Sequence, residues 1–504
     1  MQFHYTSTLD IREIAVQPLE HIADEVVAAA NKGWRMVGFC GLQDHDDFHH
    51  DLSLICLMAE ESSGMVQAWR SPVLAPDAAY AAFTPRLPQA HWFEREIWEQ
   101  WHITPQGHPW LKPIRFAPPL YDQHHDRPLP ADTLYFAVRG SAVHEVAVGP
   151  VHAGVIEPGH FRFQCAGEEV MHLEISLGFQ HRGIERALLL GPTPQSRHLL
   201  ETLCGDSSIA HSTAYAALLE KLTGTAPTER GQILRRIMLE LERLACHTGD
   251  LGALAGDAGF LPTAAWNGRI RGDWLNMTAL LCGNRFGRGM ICPSGTLHDM
   301  DEARCDTLRQ RVDTIYQDTR GALNTLFASH SSLDRMHGTG IVSRQAAQDI
   351  GMVGMAARAS GIALDARFHF PLNGFKELRA SLRTASTGDV YARACVRKQE
   401  IDDSAAMIRS DIELLRATNG TAYRNDFPQA LPPHRLALAF CEGWRGMVCH
   451  IAVTDAKGRF ALYKPIDPSF HNWFGLALAL RGQQISDFPL CNKSFNLSYC
   501  GHDL

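Results

Sequence analysis

Residues 229–254 read ERGQILRRIMLELERLACHTGDLGAL, a run without proline in which apolar residues recur at the period of an α-helix. Glu240, Arg243, His247 and Asp250 fall on one stripe of that helix, spaced three, four and three, while Leu239, Leu244 and Leu251 serve other faces. Taken alone, the stripe reads as an intrahelical salt-bridge ladder, worth roughly a few tenths of a kcal/mol per pair on an exposed face. Residues 197–222, 272–285, 297–329, 343–360 and 399–417 repeat the helical character, so a bundle is predicted.

Strand character flanks this helical core. Residues 133–138, 144–148, 160–165 and 170–175 precede it and predict a small antiparallel sheet; residues 445–454 and 458–463 follow it. Further out, residues 21–32 read as a helix with Gly33 at its end, and residues 35–40 and 52–57 read as a hairpin. The intervening turn holds His45, His49, His50, Asp44, Asp46, Asp47 and Asp51, and is expected to be solvated rather than metal-binding. Between residues 103 and 130, Pro105, Pro109, Pro113, Pro118, Pro119, Pro128 and Pro130 forbid continuous helix and mark an extended connector. The expected class is α+β: a small α/β domain at 1–115, a proline-rich connector at 116–140, and a mainly helical bundle domain with small antiparallel sheets at 141–504.

Composition narrows the function. The chain has 504 residues, 45% of them hydrophobic, which excludes disorder, and a net charge of −8, which makes nucleic acid a poor partner. No window approaches the ~20 apolar residues that cross a bilayer, so membrane association is expected to run through partners. The amino terminus lacks a secretory pattern, which predicts a reducing compartment and free thiols. None of the 13 cysteines forms a C-x-x-C pair, the spacing that brings two thiolates to one metal or cluster. P-loop, dinucleotide and H-E-x-x-H motifs are absent. Arg285 and Arg288, among the glycines of residues 283–289, could face an acidic partner.

Four segments hold groups suited to chemistry. His152, Glu157 and His160 lie within nine residues between glycine and proline turns, either as proton-moving groups or as the polar tips of a hairpin. Cys204, Ser207, Ser208 and His211 are expected to share one helical face, solvent-facing or turned to a cavity, with Glu201 and Asp206 beside it. The Glu240–Asp250 stripe is the third. The fourth is the carboxyl end, with Asn496, Cys500 and His502 in an apolar, aromatic segment that reads as anchored in the core.

Together these segments resemble the large subunit of membrane-bound, energy-converting nickel-iron hydrogenases and its relative, the quinone-site subunit of respiratory complex I. The matching signatures are G-P-x-H with E-P-x-H-F-R-F at 149–163, G-F-x-H-R-G-I-E at 178–185, C-G-x-x-x-x-A-H-x-x-A-Y at 204–215, L-E-x-E-R-L-x-x-H at 239–247 and G-N-R-F-G-R-G at 283–289. Residues 94–112, EREIWEQWHITPQGHPWLK, resemble the small accessory subunit of the same complexes, and its fusion to the large subunit is typical of formate hydrogenlyase-like chains.

The departure from the family is in the metal ligands. Hydrogenases hold nickel-iron with a C-G-x-C motif and a carboxyl-terminal D-P-C-x-x-C motif. Here the first reads Cys204-Gly205-Asp206-Ser207; the second reads Asn496-Leu497-Ser498-Tyr499-Cys500-Gly501, its only thiol one position out of register. A hydroxyl is a far weaker ligand than a thiolate for soft nickel. The resemblance therefore implies a large subunit without nickel, a degenerate site at Cys204, Ser207 and Cys500, and no cofactor held in this chain. It further implies an iron-sulfur small subunit and antiporter-like membrane subunits as partners, with peripheral placement on the cytoplasmic face of the inner membrane.

Within that frame, His152, Glu157 and His160 would line the mouth of a cavity, with Glu201, Cys204, Asp206 and His211 as its floor. Glu185, Glu240, Arg243 and His247 would form a proton path toward the membrane arm. His152 or His160 would be the quinone-contacting histidine, although Gly205 stands where the family's quinone tyrosine would be. Two alternatives accompany this reading: an active nickel-iron hydrogenase of formate hydrogenlyase type, and a non-catalytic structural subunit.

Overall fold

The helix Glu229–Asp257 is the axis of the molecule. The Thr228 hydroxyl accepts the Gly231 N–H at 3.1 Å and caps its start, and Glu229 in the first turn complements the helix dipole. Its far half packs against the helix Leu261–Cys282, and there Gly249 and Gly252 let the two axes approach. A Cβ at either glycine would meet Arg271 or Asn267 at 2.7 Å. On other faces it packs against the helix Val390–Ala417, while Glu302–Phe327 lies on the outer side of Leu261–Cys282. The structure is a computed structural model and describes residues 1–43, 52–75, 77–120, 129–130, 133–152, 156–372, 381–428 and 430–504. The His- and Asp-rich turn at 44–51 lies outside them.

Among the described residues, three antiparallel sheets of three or more strands accompany this bundle. One carries the amino-terminal strands in the order Gln2–His4, Met65–Arg70, Leu52–Glu60, Arg35–Gln43. A second runs Glu169–Ser176, His160–Ala166, Val143–Val148. The third runs Phe460–Ile466, Met447–Thr454, Arg435–Glu442, and its edge is Leu9–Asp10 from the opposite end of the chain. Strand Arg435–Glu442 alternates between two apolar clusters. Leu436, Leu438 and Phe440 face the main core, whereas Ala437 and Ala439 face a smaller one with Cys204, Tyr215 and Tyr463. The amino-terminal residues share the main core, and their helix His91–Trp101 packs Trp92 against His502.

Three sequence expectations change. Residues 133–138 form no strand: the N–H groups of Phe136 and Val138 go to the side chains of Glu174, at 2.8 Å, and Gln164, at 3.4 Å, rather than to a ladder. Residues 343–360 form two short helices, Arg344–Asp349 and Gly354–Ala359, because Gly351 and Gly354 both take left-handed backbone between them. The helix expected over 197–222 breaks at 202–207 into Ser196–Glu201 and Ser208–Thr223.

Candidate functional site

That break creates the site. Residues 202–207 bend so that the Ser207 N–H returns to the Cys204 carbonyl at 3.1 Å, and Cys204 leaves the helical face on which it was expected with Ser208 and His211. The next helix starts against Glu242, whose carboxyl accepts the N–H groups of Ile209 at 2.7 Å and Ala210 at 3.3 Å. Burial, with Asp206 nearby, pushes the Glu242 carboxyl up to about 8.

Opposite the bend, Ser498 caps the short helix Tyr499–Asp503 by accepting the Gly501 N–H at 2.9 Å. Its hydroxyl also lies 3.2 Å from the Cys204 sulfur and 3.4 Å from the Cys500 sulfur. Cys204 also lies 3.2 Å from Asp206 Oδ1 and 3.3 Å from Arg445 Nη1. Arg445 grips Asp206 with both nitrogens, at 2.5 and 2.9 Å, and stacks on Trp444 at 3.9 Å. Its Nε donates to the Asn496 carbonyl at 2.6 Å.

The two thiols differ. The hydrogen bond from Cys204 pulls the Cys500 thiol down to about 5, while that bond and burial raise Cys204 well above its ordinary value. Glu157 completes the corner by accepting the Cys500 N–H at 3.2 Å and the Tyr499 N–H at 3.4 Å. Its carboxyl is pushed up to about 8, first by burial and then by Cys500. Two thiols, two hydroxyls and one carboxylate held by a guanidinium make a poor donor set for nickel. Among the described residues, no three His, Cys, Asp or Glu side chains are grouped to hold a metal ion.

Two polar lines lead away. In one, Asp467 Oδ2 accepts from His211 Nε2 at 3.0 Å, His211 Nδ1 lies 3.1 Å from His450 Nε2, and His450 Nδ1 lies 2.7 Å from the Tyr463 hydroxyl. In the other, Asn496 Nδ2 donates to Asp250 at 2.6 Å, and Asp250 takes Arg397 Nε at 2.9 Å. One helical turn beyond Arg397 stands Glu400, which accepts from His247 at 2.7 Å and Arg358 at 2.6 Å. Arg358 continues to Glu442 at 2.7 Å and Asp365 at 3.5 Å, and Arg367 joins Asp365 to Glu240, which pairs with Arg243 at 3.1 Å.

Cys204, Asp206, Glu157 and Cys500 thus come together, with Ser207 beside Arg445 at 3.4 Å and His211 reached through Asp467. Glu240, Arg243 and His247 share the buried network, so their stripe is no exposed ladder. Glu185 belongs elsewhere: it pairs with Lys464 at 2.6 Å and Gln100 at 2.6 Å, beside Glu96 and Arg115. Glu201 turns from the floor to accept the Gly289 N–H at 2.9 Å. His152 and His160 spend ring nitrogens on loop carbonyls, Gly159 at 3.0 Å and Gly149 at 3.1 Å, which holds the turn together. Arg445, Asp467, Arg358 and Glu400 escaped the sequence reading, and Glu242 entered it only as a position of the 239–247 motif. Of the four, only Arg445 left a signal, an arginine between Gly443 and Gly446 in a tight strand connection.

Comparison with known proteins places this geometry. Residues 257–438 match the model of the respiratory-chain NADH dehydrogenase 49 kDa subunit, and residues 19–134 that of the 30 kDa subunit. The chain is 30% identical to the carbon monoxide-induced hydrogenase of Rhodospirillum rubrum over 70% of its length and 98% of that protein. The chain belongs to this family of hydrogenase and NADH dehydrogenase large subunits. Formate hydrogenlyase subunit 5 of Escherichia coli is 29% identical over 93% of this chain and 84% of its own length. The fold matches a chain of the archaeal membrane-bound sulfane sulfur reductase with a TM-score of 0.67, at 22% identity, over 72% of this chain and 99% of that one. Among the described residues no helix is long and apolar enough to cross a membrane.

Proposed function

We propose that the chain is the nickel-free large subunit of a membrane-associated, energy-converting oxidoreductase complex, coupling electron transfer with a partner's iron-sulfur cluster to proton movement through antiporter-like membrane partners. It would sit peripherally on the cytoplasmic face of the inner membrane. The observation that carries this reading is the corner itself. Where the family's ligands would converge, Ser207 and Ser498 present hydroxyls, and Arg445 already neutralises Asp206.

The corner is suited to handling protons. Glu157 holds its proton across neutral pH next to a thiol that readily loses its own, so a change of charge nearby moves a proton between them. From Asp206 and Arg445, hydrogen bonds lead through Asn496 and Asp250 to Arg397, and across one helical turn to Glu400 and His247. Glu240, Arg243 and His247 are in this reading the inner end of the proton path, and Glu185 belongs to a second polar group between the domains. His152 and His160 each give one ring nitrogen to a loop carbonyl, and no step is routed through a quinone.

Metal analysis of the purified complex tests the reading: nickel below one-tenth of stoichiometry is expected, and stoichiometric nickel with hydrogen-dependent dye reduction lost in Cys204→Ala establishes a hydrogenase instead. Asp206→Asn is expected to abolish coupled activity. If that variant retained it, the chain would be a scaffold.

A further inference from the structure

We propose that Cys204 and Cys500 form a redox-active dithiol that reduces disulfide bonds, with Cys500 as the attacking sulfur and Cys204 as the resolving one. This rests on the nickel-free reading above and names the class of reactant for that site. Disulfide exchange needs two thiols that can meet, one reachable from outside and one held behind it. The structure has that arrangement. Both sulfurs converge on the Ser498 hydroxyl, at 3.2 and 3.4 Å. Cys500 is partly exposed, whereas Cys204 is fully buried behind it.

The neighbours fit each role. The Ser498 hydroxyl, 3.4 Å from the Cys500 sulfur, can hydrogen-bond it as a thiolate. A Cβ at Gly205 would meet no atom within 4 Å, so the bend has room to move when the sulfurs close to bonding distance. Asp206 Oδ1, 3.2 Å from Cys204, accepts the proton that Cys204 must lose.

The chemistry balances in two steps. The Cys500 thiolate attacks one sulfur of the substrate disulfide, forming a mixed disulfide and expelling the first substrate thiolate. Cys204 then loses its proton to Asp206 and attacks the Cys500 sulfur, closing the internal disulfide and expelling the second substrate thiolate. Two electrons have passed from the protein to the substrate. Two electrons delivered singly by an iron-sulfur cluster of the partner subunit, with the proton returned from Asp206, restore the Cys204 thiol and the Cys500 thiolate.

The test uses the full-length chain in buffers of reduced and oxidised glutathione, quenched with acid, alkylated and mapped by mass spectrometry, with nickel measured on the same sample. The expected result is a Cys204–Cys500 disulfide that forms in one two-electron transition and reverts with dithiothreitol. In Cys204→Ser, glutathione should accumulate on Cys500; in Cys500→Ser, Cys204 should stay unmodified. Thiols that remain separate at every glutathione ratio in nickel-free protein overturn the dithiol and leave the functional reading standing. Stoichiometric nickel overturns the functional reading itself.

Discussion

The sulfur corner and the ion network behind it are built from similar groups and differ in how their charges are compensated. In the network, Glu240, Asp365, Glu400 and Glu442 face Arg243, Arg358 and Arg367, all buried and each touching two or more partners. Burial would raise Glu400, yet Arg358, His247 and Arg243 together hold it well below its ordinary range. Glu442 goes the other way, pushed up by burial and by Asp365. At the corner Asp206 is paired with Arg445, while Glu157 is pushed up to about 8 and Cys500 down to about 5. A closed network fixes its charges by mutual contact; an open corner leaves one free to move.

The largest way to break this contrast is Arg358→Met. It strips the shared cation from three fully buried carboxylates at once, and a cost on the order of 3–5 kcal/mol is expected in equilibrium unfolding at pH 7. A loss under about 1 kcal/mol would mean that the network tolerates an open charge as the corner does. Glu242 stands between the two regions, and its carboxyl caps the helix that carries His211. Glu242→Ala should cost about 2 kcal/mol, the upper range for a lost helix cap. Glu242→Gln, which keeps an acceptor oxygen, should cost less than half of that at pH 6, where the native carboxyl is already neutral. Equal losses in the two variants would show that the cap needs the charge.

The same contrast explains what could be read from the sequence. The helix over 229–254 was legible because period and capping are local, and so was the gathering of Cys204 and Cys500 once family motifs were matched. The bend at 202–207 was not. Ser207 and Ser208 prolong a helical pattern, and only Glu242, from another helix, makes a fresh start at Ser208 favourable. Likewise the stripe Glu240, Arg243, His247 looked like an exposed ladder because its partners Arg367 and Glu400 lie more than a hundred residues away along the chain. Glu185, grouped with that stripe only by the resemblance, lies on a separate short helix, and Lys464 on a distant strand claims it.

The smallest effect sharpens the corner's side of the comparison. Glu157 is raised to about 8 when folded and sits near 4.5 in its ordinary state, so the folded chain keeps a proton that the unfolded chain loses between those values. A group raised on folding contributes its full stability below the lower value, and that contribution fades as pH climbs through the higher one. Glu157→Gln removes this slope. Variant and wild type should unfold alike near pH 4.5, apart from the cost of substituting an amide, and the variant should gain roughly 1 kcal/mol on the wild type by pH 9 after allowance for solvent screening. Denaturant unfolding at four or five pH values measures it. A difference that stays flat would mean that Glu157 is ionised throughout in the folded chain, leaving Cys500 without a proton donor and the corner as fixed in charge as the network behind it.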